Sequence, residues 1–172
     1  MGCRLIVVVM GVSGAGKSTV GRALADALGI RFVEGDAYHP PENVAKMARG
    51  EPLDEADRGP WLDRLAGEIN RWRRDGVDAV LACSALRRRY RVKLAGEGEG
   101  VRFVHLQADA EVIRARLERR AGHYMPPGLL GSQLETLEAP DGEPGVLTVG
   151  VEQPVAAVVR QIGAWLAGPP SP

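Results

Sequence analysis

The sequence predicts an α/β fold, a parallel sheet covered by helices, and three observations carry that expectation. Leu5-Ile-Val-Val-Val-Met10 is continuously apolar and β-branched, as strands buried on both faces are. A glycine-rich turn and a helical pattern follow it, and Arg31 to Glu34 then reads as a second strand, completing one β-α-β unit in about 30 residues. Five strand patterns in all alternate with helical ones, as expected where crossover helices join parallel strands.

Each element has its own signal. Val20, Leu24, Ala27 and Leu28 recur at helical spacing until Gly29 stops them. Asp54 caps a long helix with Leu62, Leu65, Ile69 and Trp72 on one face, and Gly76 ends it before the apolar strand Val77 to Cys83. A basic helix from about Leu86 leads through Gly96 to Gly100 into the strand Val101 to Gln107. Asp109 then caps a helix carrying Val112, Ile113 and Leu117. Gly145 to Val151 is the fifth strand, and Val155, Val158, Val159, Ile162, Trp165 and Leu166 share one side of the last helix. Gly168 to Pro172 reads as a loose tail. The stretch Gly122 to Gln133 bears Gly and Pro and is too long for a plain connection, so it is the expected lid. No internal repeat appears, and 172 residues predict a single domain, 1–172.

Composition narrows the function. Hydrophobic residues make up 45% and charged residues 26%, a globular balance that argues against long disorder or a coiled coil. The 22 Lys plus Arg match 22 Asp plus Glu, so no whole-protein basic field gathers nucleic acid. The longest strongly apolar run, Leu5 to Met10, is far short of the roughly 20 residues of a membrane span or the roughly 7 to 15 of a secretory core. No membrane or export is expected. Cys3 and Cys83 are too few for a four-ligand metal site or a secreted scaffold and read as reduced, in the cytoplasm. Met1-Gly2-Cys3 is not a myristoylation signal, because Ile6 stands where Ser or Thr is needed.

The sharpest motif is Gly11-Val-Ser-Gly-Ala-Gly-Lys-Ser18, which fits G-x-x-x-x-G-K-[ST] between a buried strand and a helix. Its glycines let successive backbone N–H groups face inward at a helix N-terminus, a concavity suited to phosphate oxygens. Lys17 is expected on the β- and γ-phosphates and the Ser18 hydroxyl on Mg²⁺. A switch GTPase is disfavoured, since no N-K-x-D occurs and the third strand ends Ala82-Cys83-Ser84 without an Asp. The missing Asp also leaves Mg²⁺ short of one usual protein ligand, to be made up by waters, phosphates or Asp36.

The acceptor side begins just past the second strand, with Gly35-Asp36-Ala-Tyr-His39-Pro-Pro-Glu-Asn43-Val-Ala-Lys46-Met47. Carboxyl ends of parallel strands face the crevice where ligands bind. Asp36 is therefore a candidate to take or orient the proton of an attacking hydroxyl, with a turn or cap role as the alternative. His39 reads equally as a loop histidine or a substrate contact. Arg58 begins a helix against the macrodipole, and either holds an anion or pairs with Asp54 or Asp57. Arg116, Arg119 and Arg120 precede the lid as candidate phosphate clamps, with a solvated face as the plainer account. Arg87 to Lys93 carries five positive charges in seven residues, and an exposed helix face explains it more simply than a nucleic-acid patch.

Taken together, these segments resemble the gluconokinases, small P-loop sugar-acid kinases related in fold to shikimate and adenylate kinases. The phosphate loop carries the resemblance with Gly35-Asp36, His39-Pro40, Asn43, Lys46-Met47, Gly50-Glu-Pro-Leu-Asp54, Asp57-Arg58 and Pro60-Trp61-Leu62. Cys83-Ser84-Ala85-Leu86, Gly122-His123 and Gln133-Leu-Glu135-Thr136-Leu137 extend it over nearly the whole chain. The resemblance implies a three-layer α/β/α P-loop kinase fold with sheet order 2-3-1-4-5 and a lid. It also implies phosphorylation of D-gluconate at its terminal C6 hydroxyl by ATP with Mg²⁺, in a homodimer. Lys17, Asp36 and Arg120 are its implied catalytic residues. Gly11, Ser13, Gly14, Ala15, Gly16, Lys17, Ser18, Thr19, Arg116 and Arg120 would bind the nucleotide, and Ser18 the metal. Asp36, His39, Lys46, Arg58, Ser84 and His123 would bind gluconate, while Arg119 has no clear counterpart. Val149 to Pro154 sits where related folds contact adenine, although its residues depart from their pattern. Polar groups left unpaired by a wrong acceptor discriminate by as much as about 10⁴-fold. A kinase for another small acceptor and a nucleotide-gated regulatory module are the rival expectations.

Overall fold

The strand Ile6–Met10 (β1) lies at the centre of a five-stranded sheet, and all five of its residues have no solvent exposure. The computed structural model describes residues 4–119 and 129–169. After β1 come α1 (Lys17–Leu28), β2 (Arg31–Glu34), a 3₁₀ turn at Gly35–Tyr38, α2 (Pro41–Ala48), α3 (Glu55–Asp75) and β3 (Ala79–Ala82). They are followed by α4 (Arg88–Ala95), β4 (Val101–Gln107), α5 (Ala110–Glu118), α6 (Leu129–Thr136), β5 (Val146–Gly150) and α7 (Val155–Ala167). The order is β2-β3-β1-β4-β5 and every pairing is parallel, with Val8 opposite both Leu81 and Phe103.

Alternation along β1 builds the layers. Ile6, Val8 and Met10 pack with Leu65, Ile69 and Trp72 of α3 and Leu94 of α4, while Val7 and Val9 pack with Val20 and Leu24 of α1 and Val158 and Ile162 of α7. This is the expected α/β/α sandwich in the expected strand order. A smaller cluster of Val12, Leu86, Ile113, Leu117 and Leu130 packs the start of the phosphate loop against α5 and α6.

Some expectations need adjustment. Helix α2 had no counterpart in the sequence reading because Pro40-Pro41 looks like a breaker, yet proline is favoured at a first helical position, where its missing N–H costs nothing. The expected irregular stretch Gly122 to Gln133 falls partly outside the described residues, and its end, from Leu129, is the start of α6. Asp54 caps α3 in a full capping box with Asp57, whereas Asp109 stands at the N-cap of α5 with no side-chain cap bond.

Helix α4 is not simply an exposed basic face. Arg91 is 2% exposed, bidentate to Glu143 at 2.7 and 2.9 Å, and donates to the carbonyls of Ala85 and Glu138 at 2.8 Å each. A buried guanidinium is tolerated when its charge and donors are satisfied in this way. Ala85, whose carbonyl accepts from Arg91, is in a left-handed conformation, φ 44°, uncommon for a residue with a side chain. Arg87 and Arg89 pair with Glu55, and Lys93 with Asp63.

Candidate active site

The phosphate loop leaves β1 at its carboxyl end and enters α1 through Gly16, whose φ of 97° is left-handed. No side chain caps α1, so its first amides stay available to a ligand. Gly14 is required for space, because a Cβ there would meet Leu117 Cγ at 2.9 Å. Lys17 Nζ donates to the Val12 carbonyl at 3.0 Å, and the Ser18 hydroxyl donates to the Glu34 carboxylate. The Ser13 N–H donates to Gln133 Oε1 at 2.6 Å, tying α6 to the loop.

Across the cleft, the 3₁₀ turn presses on β3 so closely that a Cβ on Gly35 would lie 2.4 Å from the Ala82 carbonyl oxygen. That contact sets the position of Asp36, the next residue. Trp61 of α3 secures the turn, its indole N–H donating to the Gly35 carbonyl at 2.9 Å while its ring stacks on His39 with centroids 4.1 Å apart. Burial holds the His39 pKa below the ordinary 6.5, with Asp36 opposing and Arg58 assisting, so the ring is neutral at pH 7. Asn43 fixes its tautomer. The amide nitrogen of Asn43 donates to the Asp57 carbonyl at 2.8 Å and sits 3.2 Å from His39 Nδ1, which must therefore accept. The imidazole proton is left on Nε2, which lies 3.8 Å from Asp36 Oδ1.

One cleft joins the two sides. Ser13, Gly14, Gly16, Lys17 and Ser18 line it from the loop, Asp36, His39, Arg58 and Ser84 from the acceptor side, and Leu129, Ser132 and Gln133 from α6. Ala15, Thr19 and Arg116 line a neighbouring hollow with Arg119, Val151 and Gln153, and Arg116 donates to the Val151 carbonyl at 2.7 Å. Gly14 and Gly16 belong to both linings, which makes the loop the wall between them. Gly11, φ 147°, lines neither space and serves as the exit from β1.

Lys46 is not brought to the cleft. Its ammonium donates to Asp57 Oδ2 at 2.7 Å and lies 3.9 Å from Asp54, and the Asp57 hydrogen bond raises its pKa. Lys46 thus ties α2 to the capping box of α3, and Arg58 pairs with neither Asp54 nor Asp57, meeting Glu55 at 3.6 Å and the Tyr90 hydroxyl at 3.2 Å instead. Arg120 and His123 lie outside the described residues. Sequence reading passed over Glu34, Trp61, Asn43, Tyr90 and Gln133 as site residues. Glu34 was findable, as the last residue of a strand at the ligand-binding edge. Gln133 stood in a segment that carries the family resemblance, but nothing local pairs it with Ser13, 120 residues away.

Comparisons with known proteins bear on the chain as a whole. The family described as an AAA domain matches residues 6–140. The gluconokinase of Gluconobacter oxydans is 50% identical over 149 residues, covering 86% of this chain and 84% of that protein. Among solved structures, an unliganded sugar kinase from a Janibacter species superposes with a TM-score of 0.89 at 45% identity, covering 95% of this chain and 94% of its own. A gluconokinase from Sinorhizobium meliloti does so with a TM-score of 0.85 at 46% identity, covering 97% and 94%. Likeness of that degree, sustained over most of each relative, leads to one assignment: the chain belongs to the gluconokinase family of P-loop kinases.

Proposed function

We propose that the chain transfers the terminal phosphoryl group of ATP to the C6 hydroxyl of D-gluconate, giving 6-phospho-D-gluconate and ADP. The observation that carries this reading is the shared cleft, in which the phosphate loop and Asp36 face one space beside Arg58, a cation suited to a carboxylate. The loop amides from Ser13 to Thr19 hold phosphate oxygens, and Lys17 balances charge on the β- and γ-phosphates. Asp36 orients the terminal hydroxyl and takes its proton. In a loose transition state that orientation matters more than basicity. Neutral His39 offers its Nε2–H to a substrate oxygen, Ser84 a hydroxyl, and Arg58 a bidentate edge to the carboxylate. Arg116 and Arg119 serve the nucleotide on the far side of the loop, and Arg120 and His123 keep the roles that the family resemblance implies.

The oxygen donors beside the loop fit Mg²⁺, a hard cation: the Ser18 hydroxyl and the Glu34 carboxylate would hold it. Bound there, it neutralises charge on the β- and γ-phosphates. A cytoplasmic homodimer, one domain per chain with a lid at 122–133, completes the reading, and sedimentation equilibrium tests its stoichiometry.

The direct test is a coupled assay of purified protein with ATP, Mg²⁺ and gluconate, shikimate, glycerate and nucleoside monophosphates in turn. Turnover with gluconate, falling about 10²-fold in Asp36→Asn, is expected. Turnover confined to a different acceptor refutes the assignment.

A further inference from the structure

The basic helix α4 meets Arg58, a residue of the cleft lining, through a side chain that none of the roles above uses. Arg58 ends a flexible stem, and it sits near the N-terminus of α3, where the macrodipole repels a cation. Something must hold it on the cleft wall. Its closest carboxylate, Glu55, stands at 3.6 Å, whereas Nη1 donates to the Tyr90 hydroxyl at 3.2 Å. Guanidinium groups only donate, so the Tyr90 oxygen accepts from Arg58 and directs its own proton to Glu55 Oε1, 2.5 Å away.

The chain of contacts is anchored at both ends. The Tyr90 ring is 4% exposed and packed in the core with Leu94 and Trp61, so its hydroxyl is placed by the fold. Glu55 is half-exposed but gripped by Arg89 at 2.6 Å, with Arg87 at 3.4 Å. Burial opposes its charged form, and hydrogen bonds from Tyr90 and Arg89 outweigh that and hold its pKa below the ordinary value. Among the described residues, Nη1 is the one side-chain donor of Arg58 with a hydrogen-bond partner. The Nε and Nη2 edge of the fork is left for a ligand, the edge on which a planar carboxylate seats two oxygens.

We propose that Tyr90 is a positioning residue for substrate carboxylate recognition, holding Arg58 by one corner so that its free edge faces the cleft. The proposal rests on the reading of Arg58 as the carboxylate site.

Kinetics of the wild type, Tyr90→Phe, Arg58→Ala and the double variant test it, with KM and kcat measured separately for gluconate and ATP. Tyr90→Phe keeps the ring and removes only the hydroxyl. It is expected to raise the gluconate KM about tenfold, with kcat and the ATP KM within about twofold of wild type, and to add nothing once Arg58 is alanine. An unchanged gluconate KM, a matching rise in the ATP KM, or a full additional loss in the Arg58→Ala background overturns it. If Arg58→Ala itself leaves the gluconate KM unchanged, the carboxylate reading falls and this proposal with it. A rise in Arg58→Ala without one in Tyr90→Phe sinks only the Tyr90 assignment. Should Tyr90→Phe fail to fold, Glu55→Ala at its half-exposed site carries the same expectations and the same refutations.

Discussion

The two walls of the cleft are built from different materials. The phosphate loop works through its backbone, with glycines at 11, 14 and 16 in left-handed or sterically confined conformations and amides uncapped at the start of α1. The acceptor wall works through side chains, each fixed by another: Trp61 holds Gly35 and His39, Asn43 orients His39, Lys46 locks α2 to α3, and Tyr90 meets Arg58. Backbone cradles suit a donor that every kinase of this class shares. Side-chain networks suit an acceptor that differs among them, because they can be rewritten without disturbing the sheet.

The largest test of that division is Lys17→Ala. It should lower kcat by about 10²-fold or more with any acceptor, since charge on the transferring phosphates is common to all of them. A loss confined to gluconate would break the comparison. Next comes Gly35→Ala, whose Cβ would collide with the Ala82 carbonyl oxygen at 2.4 Å and displace Asp36 or unfold the chain, while Gly67→Ala, with nothing within 4 Å, should be neutral in the same activity and melting assays. Equal behaviour of the two would mean that the turn is less confined than the geometry requires.

Arg58→Ala should raise the gluconate KM by about tenfold or more and leave ATP affinity nearly unchanged, as isothermal titration with a nonhydrolysable nucleotide would show. Lys46→Ala, outside the cleft, should raise it far less. A reversal of that order would move the carboxylate site onto Lys46. The smallest effect concerns pH. Burial depresses the pKa of His39, and burial followed by Arg91 depresses that of His105. The unfolded chain therefore takes up protons first, so their contribution to stability is complete above about 6.5 and is lost as pH falls below it. Melting temperature should drop by a few degrees between pH 7.5 and 5.5, and less in His105→Gln.

Much of the donor wall was readable because its signals are local: a buried strand, three glycines, a lysine and a helix within a short span. Strand order and helix faces followed from burial patterns for the same reason. The acceptor wall was readable in its residue types but not in its pairings. Lys46 has acids on both sides in sequence, and nothing local selects Asp57 over a ligand. The burial of Arg91 depends on Glu143, 52 residues away, so its run of charge looked like surface. Helix α2 hid behind two prolines, and α6 behind the Gly- and Pro-bearing segment before it.

Strand order has one more consequence. Because β3 lies between β1 and β2, the ends bearing the loop and the aspartate turn stand two inter-strand spacings apart, about 10 Å. Ser84, just past β3, falls midway, its carbonyl accepting the Gly11 N–H at 3.3 Å. The sheet is thus a gauge for the span within which the donor phosphate and the acceptor hydroxyl are brought into contact. Its reading is inherited with the topology, and acceptors of other lengths must be accommodated by reshaping what hangs beyond β2.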